Sequence, residues 1–138
     1  MKISQIPQWV IVILAMLAFE TSAAEPYVPH SQANEDADDV QRIEIVGGSY
    51  FFQPDRVVAR AGRGLEISVR MAPGVIPHRF VLETINGKSL ADVPLDQKAK
   101  TLRFDLPAGK YLFHCPNRLL FFKSHSERGM AGVLEVKE

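Results

Sequence analysis

Gly109-Lys-Tyr-Leu-Phe-His-Cys115-Pro-Asn-Arg-Leu-Leu-Phe-Phe-Lys-Ser-His125-Ser-Glu-Arg-Gly-Met130-Ala-Gly-Val-Leu-Glu-Val136 is the stretch around which this sequence is organised. Tyr111, Phe113 and Cys115 alternate along a predicted strand, which places them on one face. A loop with His125 and Met130 follows, and a second predicted strand closes the unit. A thiolate, an imidazole and a thioether on one strand–loop–strand unit suit copper better than a hard cation.

The N-terminal residues predict export. Residues 1–24 have the form of a secretory signal, with a basic start, an apolar run at 9–19 and small residues before Glu25. The apolar run is short for a membrane span, so we expect a periplasmic or secreted protein without a stable membrane anchor. Residues 25–40 contain two prolines and an acidic cluster and predict a flexible leader, and residues 41–138 form the remaining domain.

Charge is unevenly distributed along the chain. The whole sequence is formally neutral, but residues 40–138 hold 15 basic and 10 acidic residues, a net charge of +5. No basic run is interleaved with aromatic residues, so we expect no nucleic-acid partner.

Cys115 is the one cysteine in the sequence. It has no partner for an internal disulfide, and an idle thiol is a liability in an oxidising compartment. The thiol is either buried and inert or held by a metal.

Period-two alternation dominates the rest of the domain. We predict strands near 42–46, 57–60, 65–71, 79–85 and 102–106, separated by turns rich in glycine and proline. Pro94 interrupts residues 88–99, for which we predict irregular structure. About seven or eight short strands with no convincing helix indicate an all-β sandwich.

His78 is the candidate fourth ligand. It follows a loop at 72–77 and begins a predicted strand, and a sandwich can bring such strand ends together at one pole. Two histidines and a cysteine in a trigonal arrangement, with a weak axial methionine, describe a blue-copper electron-transfer site.

The sequence resembles the cupredoxin family over residues 42–138. The resemblance is carried by Phe52-Gln-Pro54, Val57-Val58, Ala61-Gly62, Pro77-His78-Arg-Phe-Val-Leu82, Ala108-Gly-Lys-Tyr-Leu-Phe-His-Cys115, His125, Gly129-Met130 and Gly132-Val-Leu. It implies a Greek-key sandwich with one type 1 copper per chain, ligated by His78, Cys115, His125 and Met130.

Three features depart from the small electron carriers of that family. Nine residues separate Cys115 from His125, a spacing nearer to the type 1 domains of copper nitrite reductases. His114 stands where those reductases and multicopper oxidases have a ligand to a second copper. Only His30, in the leader, is left to assist it, so we expect a surface strand histidine. Pro77 and Arg79 flank His78, where many cupredoxins have a small polar residue.

Leu119, Leu120, Phe121 and Phe122 lie between two candidate ligands. We expect them to pack beneath the long loop, and the alternative is an apolar docking patch.

The expected function is non-enzymatic transfer of single electrons between redox partners, which the sequence does not name, by a monomeric copper protein. One alternative is a copper-binding or sequestration protein without redox traffic. Another is a small oligomeric copper oxidoreductase. A thiol nucleophile built on Cys115 and His125 is disfavoured by the aligned Met130.

Overall fold

The structure is a computed structural model and describes residues 31–35 and 37–138. The predicted signal at 1–24 and His30 lie outside these residues. In the part described, eleven strands form two sheets, and the one helical segment is a 3₁₀ turn at Ser126–Arg128. The strands are β1 (Ser31–Gln32), β2 (Asn34–Glu35), β3 (Gln41–Gly48), β4 (Phe51–Gln53), β5 (Arg56–Arg60), β6 (Leu65–Met71), β7 (Arg79–Thr84), β8 (Ser89–Pro94), β9 (Lys100–Phe104), β10 (Gly109–His114) and β11 (Ala131–Lys137).

The two sheets face each other as a sandwich, which confirms the predicted all-β class. The larger sheet has the order β1-β5-β11-β10-β7-β8, and the smaller has the order β2-β3-β6-β9 with β4 paired to β3. The pairs β1–β5, β3–β6 and β5–β11 are parallel, and in each pair at least one strand of the other sheet lies between the two partners in the chain.

Period-two alternation decides which side chains form the core. Leu65, Ile67 and Val69 of β6 are buried, and the residues between them face outward. Aromatic residues fill the centre: Phe113 lies 5.5 Å, between ring centroids, from both Phe52 and Phe80. The core is therefore continuous between the sheets, as the alternating pattern predicts.

More strands are present than the seven or eight predicted, and β8 is the main correction. Residues 88–99 were expected to be irregular because of Pro94, yet β8 pairs antiparallel with β7 from Arg79↔Pro94 to Glu83↔Ser89. β8 is the edge of its sheet and Pro94 is its last residue. Because β8 has a neighbouring strand on one side only, the backbone N–H that Pro94 lacks is not needed for pairing with a second strand.

Part of the predicted leader is also paired, contrary to the expected loose attachment. β1 pairs parallel with β5, β2 pairs antiparallel with β3, and the Ala33 N–H between them donates to the Val58 carbonyl at 3.1 Å. Backbone pairing at a sheet edge needs no apolar periodicity, which is why the sequence pattern did not reveal it.

Three strand ends meet at one pole of the sandwich. β10 runs antiparallel to both β7 and β11, so its C-terminal end lies beside the N-terminal ends of those two strands.

Along residues 31–35 and 37–138, no helix has the length and apolar character needed to cross a membrane.

Candidate metal centre

The pole where β7, β10 and β11 meet collects the four predicted ligands. His78 directly precedes β7, Cys115 directly follows β10, and Met130 directly precedes β11. His125 enters from the loop between β10 and β11, just before the 3₁₀ turn. The antiparallel pairing of these strands is therefore what brings together residues up to 52 positions apart in the chain.

Three donor atoms form a compact buried cluster. The two Nδ1 atoms of His78 and His125 are 3.0 Å apart, and the Cys115 Sγ lies 3.5 Å from the His125 Nδ1. The ligand atoms of all three residues lie within 4.8 Å of one another. His78 is 4% exposed, His125 7% and Cys115 0%, so bulk water is nearly excluded.

These separations fit a single metal ion. An ion bound tetrahedrally with zinc-like bond lengths, about 2.0 Å to nitrogen and about 2.3 Å to sulfur, would hold two nitrogens about 3.3 Å apart. The same ion would hold a nitrogen about 3.5 Å from the sulfur. Both values are within a few tenths of an ångström of the two observed distances, and the three donor atoms are close enough together to share one ion.

Met130 is held against this cluster by the backbone. Its N–H donates to the His125 carbonyl at 2.9 Å, and its carbonyl accepts the Cys115 N–H at 3.1 Å. The side chain is fully buried, and its Cε lies near Gly47 of the facing sheet. The backbone therefore places Met130 next to Cys115 and His125, and its role as the axial thioether ligand of a type 1 copper site stays a prediction.

The thiol sulfur also accepts a hydrogen bond from the chain. The Arg79 N–H points at the Cys115 Sγ at 3.3 Å. Neither Pro77 nor Arg79 has the small polar side chain that many cupredoxins have beside this histidine. The backbone N–H of Arg79, the first residue of β7, donates the hydrogen bond to the sulfur instead. Such a donor stabilises negative charge on sulfur and helps to set the properties of a bound metal.

The long loop between Cys115 and His125 is closed at its base. The His125 N–H donates to the Asn117 carbonyl at 2.8 Å, and the Ser126 N–H donates to the Cys115 carbonyl at 3.0 Å. The Asn117 side chain donates to the Pro77 carbonyl at 2.9 Å, which ties this loop to the one before His78. The loop is therefore closed at its base by hydrogen bonds, and residues 119–122 lie outside this closure.

Glu127 stabilises the turn that carries His125. Its carboxylate accepts hydrogen bonds from the Ser124 N–H and hydroxyl, both at 2.7 Å, and from Arg118 at 2.8 Å. The Ser124 hydrogen bonds lower the pKa of the Glu127 carboxyl, with further help from the Arg118 and Lys123 charges. The carboxylate thus stays ionised and keeps the turn closed.

Tyr50 and Arg128 cover the outer side of His125. The Tyr50 ring meets the His125 ring edge to face at 5.2 Å between centroids. The Arg128 guanidinium lies 3.7 Å from the Tyr50 ring centroid, and it donates to the Tyr50 hydroxyl at 2.8 Å. A cation is thereby held near a candidate ligand.

Both histidines favour the neutral form. Burial lowers the pKa of His78, and the nearby His125 lowers it further. Burial also lowers the pKa of His125, followed by the positive charge of Arg128. A neutral imidazole is the form that binds a metal, so the two histidines release few protons on binding near neutral pH, and the proton that binding must displace is that of the Cys115 thiol.

His114 lies apart from this cluster. Phe113 before it and Cys115 after it are buried in the core, whereas the His114 side chain lies on the opposite face, with its Nε2 3.5 Å from a Glu83 carboxylate oxygen. Among the residues described, the group of three metal-ligating side chains consists of His78, Cys115 and His125 and does not include His114. The predicted orientation away from the thiol agrees with this placement.

The expected packing of residues 119–122 beneath the loop is wrong. Their side chains lie on the surface, because the closure at Asn117 and His125 turns them outward. Sequence analysis also missed Asn117, Tyr50 and Arg128 as neighbours of the site. Tyr50 lies 75 positions before His125, and no local pattern links them.

Comparison with known proteins agrees on the fold. No family model matches this chain, and no curated protein matches it. Among solved structures, reduced auracyanin from the photosynthetic bacterium Roseiflexus castenholzii is 20% identical, with a TM-score of 0.55 over 69% of this chain and 95% of that one. Auracyanin A, a "blue" copper protein from Chloroflexus aurantiacus, is 19% identical, with a TM-score of 0.54 over 70% of this chain and 98% of that one.

A third similar structure is the metal-binding domain of a Cu(I)-exporting P-type ATPase from Streptococcus pneumoniae. It is 17% identical, with a TM-score of 0.58 over 80% of this chain and 97% of that domain.

The likeness of the 115–125 spacing to nitrite reductase type 1 domains stays a prediction. This chain therefore has the cupredoxin fold, and its buried His₂Cys cluster with an adjacent methionine fits a type 1 copper site.

Proposed function

We propose that this protein is a periplasmic, non-enzymatic type 1 copper protein that carries single electrons between redox partners. The observation that carries the proposal is the buried cluster of His78 Nδ1, His125 Nδ1 and Cys115 Sγ, with the Met130 backbone hydrogen-bonded to both Cys115 and His125. Soft sulfur ligands and borderline imidazoles together suit an ion that alternates between two charges.

The chain's own residues would limit rearrangement during electron transfer. Bound copper would supply a one-electron couple, in which sulfur favours Cu(I) and imidazole favours Cu(II). The Cys115 N–H donates a backbone hydrogen bond to the Met130 carbonyl, and the His125 backbone is hydrogen-bonded to those of Asn117 and Met130. Because each donor is fixed by strand ends and backbone hydrogen bonds, the donors need move little when the charge changes.

His125 offers a route to the surface. It lines a cavity of about 370 Å³, open to solvent, together with Tyr50, Val75 and Leu119. An electron could enter or leave through its ring, since this cavity brings solvent next to the imidazole on the side that Tyr50 shares with Val75 and Leu119.

Visible absorption and voltammetry of the purified protein with Cu(II) test this proposal. We expect one copper per chain, an intense thiolate-to-copper band and a reversible one-electron couple. Cys115→Ser removes the sulfur and should abolish the band. A coloured Ser variant would show that the thiolate is not a ligand, and a coloured wild-type protein without a reversible couple would contradict electron transfer.

Copper sequestration without redox traffic is a second candidate. It is favoured by the likeness to the metal-binding domain of the Cu(I)-exporting ATPase. A sequestration protein should hold Cu(I) tightly in competition with a chelator and exchange electrons slowly with mediators. Fast exchange with mediators would favour the carrier.

A small oligomeric copper oxidoreductase is the remaining alternative. It requires a second, colourless copper on His114, with imidazoles from neighbouring chains. The carrier predicts one copper per chain, no turnover of nitrite or oxygen, and an unchanged copper content in His114→Ala. Two coppers per chain in a stable oligomer, with one lost in that variant, would establish the enzyme instead.

A further inference from the structure

Leu119, Leu120, Phe121 and Phe122 form an exposed apolar tip. Their exposed fractions are 66%, 76%, 84% and 52%, respectively. A turn closed by the Phe122 N–H and the Leu119 carbonyl at 3.0 Å shapes the tip, and the two phenyl rings stack at 4.9 Å between centroids. Four successive apolar side chains in water are costly, so such a surface usually has a binding role.

The tip is not needed to build the metal centre. The hydrogen bond between His125 and Asn117 closes the loop beneath it, and the four side chains contribute nothing to the buried core. The residues that lengthen this loop are therefore the ones that form the projection.

A second loop widens the same apolar surface. Val75 is 98% exposed and Ile76 is 38% exposed, and both line one cavity with Leu119. The Asn117 side chain holds the two loops together through the Pro77 carbonyl. The apolar surface is thus formed by two adjacent loops at the pole that carries the metal cluster.

Basic residues flank the apolar tip on both sides. Arg118 precedes it and Lys123 follows it, and both side chains are exposed. Arg128 lies on the turn that follows, and the one acidic group between them, Glu127, is bonded to Arg118 and Ser124. The rim of the tip therefore carries a net positive charge.

We propose that this pole docks reversibly on a phospholipid bilayer that contains anionic lipid. Apolar side chains would enter the boundary between headgroups and acyl chains, and Arg118 and Lys123 would meet the phosphates. Aromatic side chains such as Phe121 are well suited to that depth. A few inserted side chains give weak, reversible binding.

The shape and charge of the tip favour a bilayer over a protein surface. The four side chains of the tip are 52–84% exposed and none belongs to the core, so the tip projects into solvent. A protein partner would need a matching pocket for this projection, whereas a bilayer adapts to it. A symmetric contact with a second copy would bring the basic rims together, which is unfavourable. The proposal goes beyond electron transfer and does not depend on copper, because the tip is built by contacts of the protein alone.

A tryptophan probe gives the first test. Trp9 is the one tryptophan in the sequence and lies in the predicted signal. In the chain processed by the exporting cell, with its N-terminus verified by mass spectrometry, Phe121→Trp therefore introduces a single probe. We expect its emission to shift to the blue with vesicles of phosphatidylcholine and phosphatidylglycerol. The matched control is Ile85→Trp, at an apolar position that is 69% exposed beyond the opposite end of β7.

Vesicle co-sedimentation gives the second test. Phe121→Ser should lower the partition coefficient on the mixed vesicles by roughly tenfold, the effect of burying a large apolar side chain. Ile85→Ser should leave it nearly unchanged. Lys123→Gln should weaken binding roughly fivefold on mixed vesicles and should have no effect on phosphatidylcholine alone.

Three outcomes would overturn the proposal. One is the absence of a blue shift for Phe121→Trp with either kind of vesicle. Another is an equal loss of binding in Ile85→Ser and Phe121→Ser. The third is a dimer in sedimentation velocity that Phe121→Ser dissociates while vesicles bind neither protein, which would assign the tip to a second copy.

Discussion

Arg128→Gln should lower the reduction potential of bound copper, because it removes a cation held near a ligand. The guanidinium carbon is 3.7 Å from the Tyr50 ring centroid, which is 5.2 Å from that of His125. The sum of these two distances is the upper limit, so the Arg128 charge lies no more than about 9 Å from the centre of the His125 ring. A positive charge there disfavours Cu(II) more than Cu(I), so its removal favours the oxidised state.

The size of the shift follows from Coulomb's law. A bound ion would lie about 3 Å from the centre of the His125 ring, so the distance is up to about 12 Å; with an effective dielectric constant of about 20, one unit charge then contributes about 1.4 kcal/mol. Arg128 is exposed, so solvent and salt reduce this contribution to about 0.5–1 kcal/mol. At about 2.3 kcal/mol per 100 mV, the potential should fall by roughly 20–40 mV.

Voltammetry at low ionic strength measures this shift. Arg103→Gln is the matched control, since it removes the same charge from an exposed position that pairs with Glu66 on the outer face of the smaller sheet. Arg128→Lys keeps the charge and should keep most of the potential. The shift should shrink at high salt. A potential that is unchanged or higher in Arg128→Gln, or that falls equally in Arg103→Gln, would refute the electrostatic argument.

Four further predictions test the site and the fold. His78→Ala and His125→Ala should each lose copper or hold it much more weakly, and full metal content after gel filtration would remove that residue from the ligand set. Met130→Leu should keep copper and colour but raise the potential, because a thioether donates weakly to Cu(II) and hydrocarbon does not; an unchanged voltammogram would show that Met130 is not axial. Gly132→Ala should destabilise the fold by about 1–3 kcal/mol in urea unfolding, since overpacking strains a filled core. Its Cβ would lie 2.3 Å from the neighbouring phenyl ring, whereas Gly64→Ala meets no contact shorter than 3.8 Å, and equal unfolding midpoints would contradict the crowding. The metal-free protein should lose stability as the pH falls below about 6.5, because burial lowers the pKa of both histidines and the unfolded chain then binds protons that the folded chain resists. A free energy of unfolding that does not change between neutral and mildly acidic pH would contradict this linkage.

Strand positions were largely predictable because they depend on local alternation. Leu65, Ile67 and Val69 alternate with polar residues, and a period of two allows them one buried face. β8 was missed because its pattern is weak and Pro94 argues against a strand, whereas its position at the sheet edge removes the objection. That edge position is a property of the strand order, which no window of sequence contains.

The environment of the metal centre was predictable only in part. Cys115, His125 and Met130 lie on one strand–loop–strand unit, so their proximity follows from chain connectivity. The Arg79 N–H on the thiol, the Tyr50 ring on His125 and the closure by Asn117 all depend on contacts between distant segments. Residue types at these positions carry no local signal of those contacts.

The sequence by itself determined the chemistry of this protein: a single thiol with imidazoles and a thioether in a β-sandwich, because donor type and strand alternation are local properties. Tertiary structure alone decided the 3.0 Å separation of His78 and His125, and it alone turned residues 119–122 outward. Both results come from the antiparallel pairing of β10 with β7 and β11 and from the hydrogen bond that closes the loop. These are long-range backbone contacts, whose geometry depends on the whole fold.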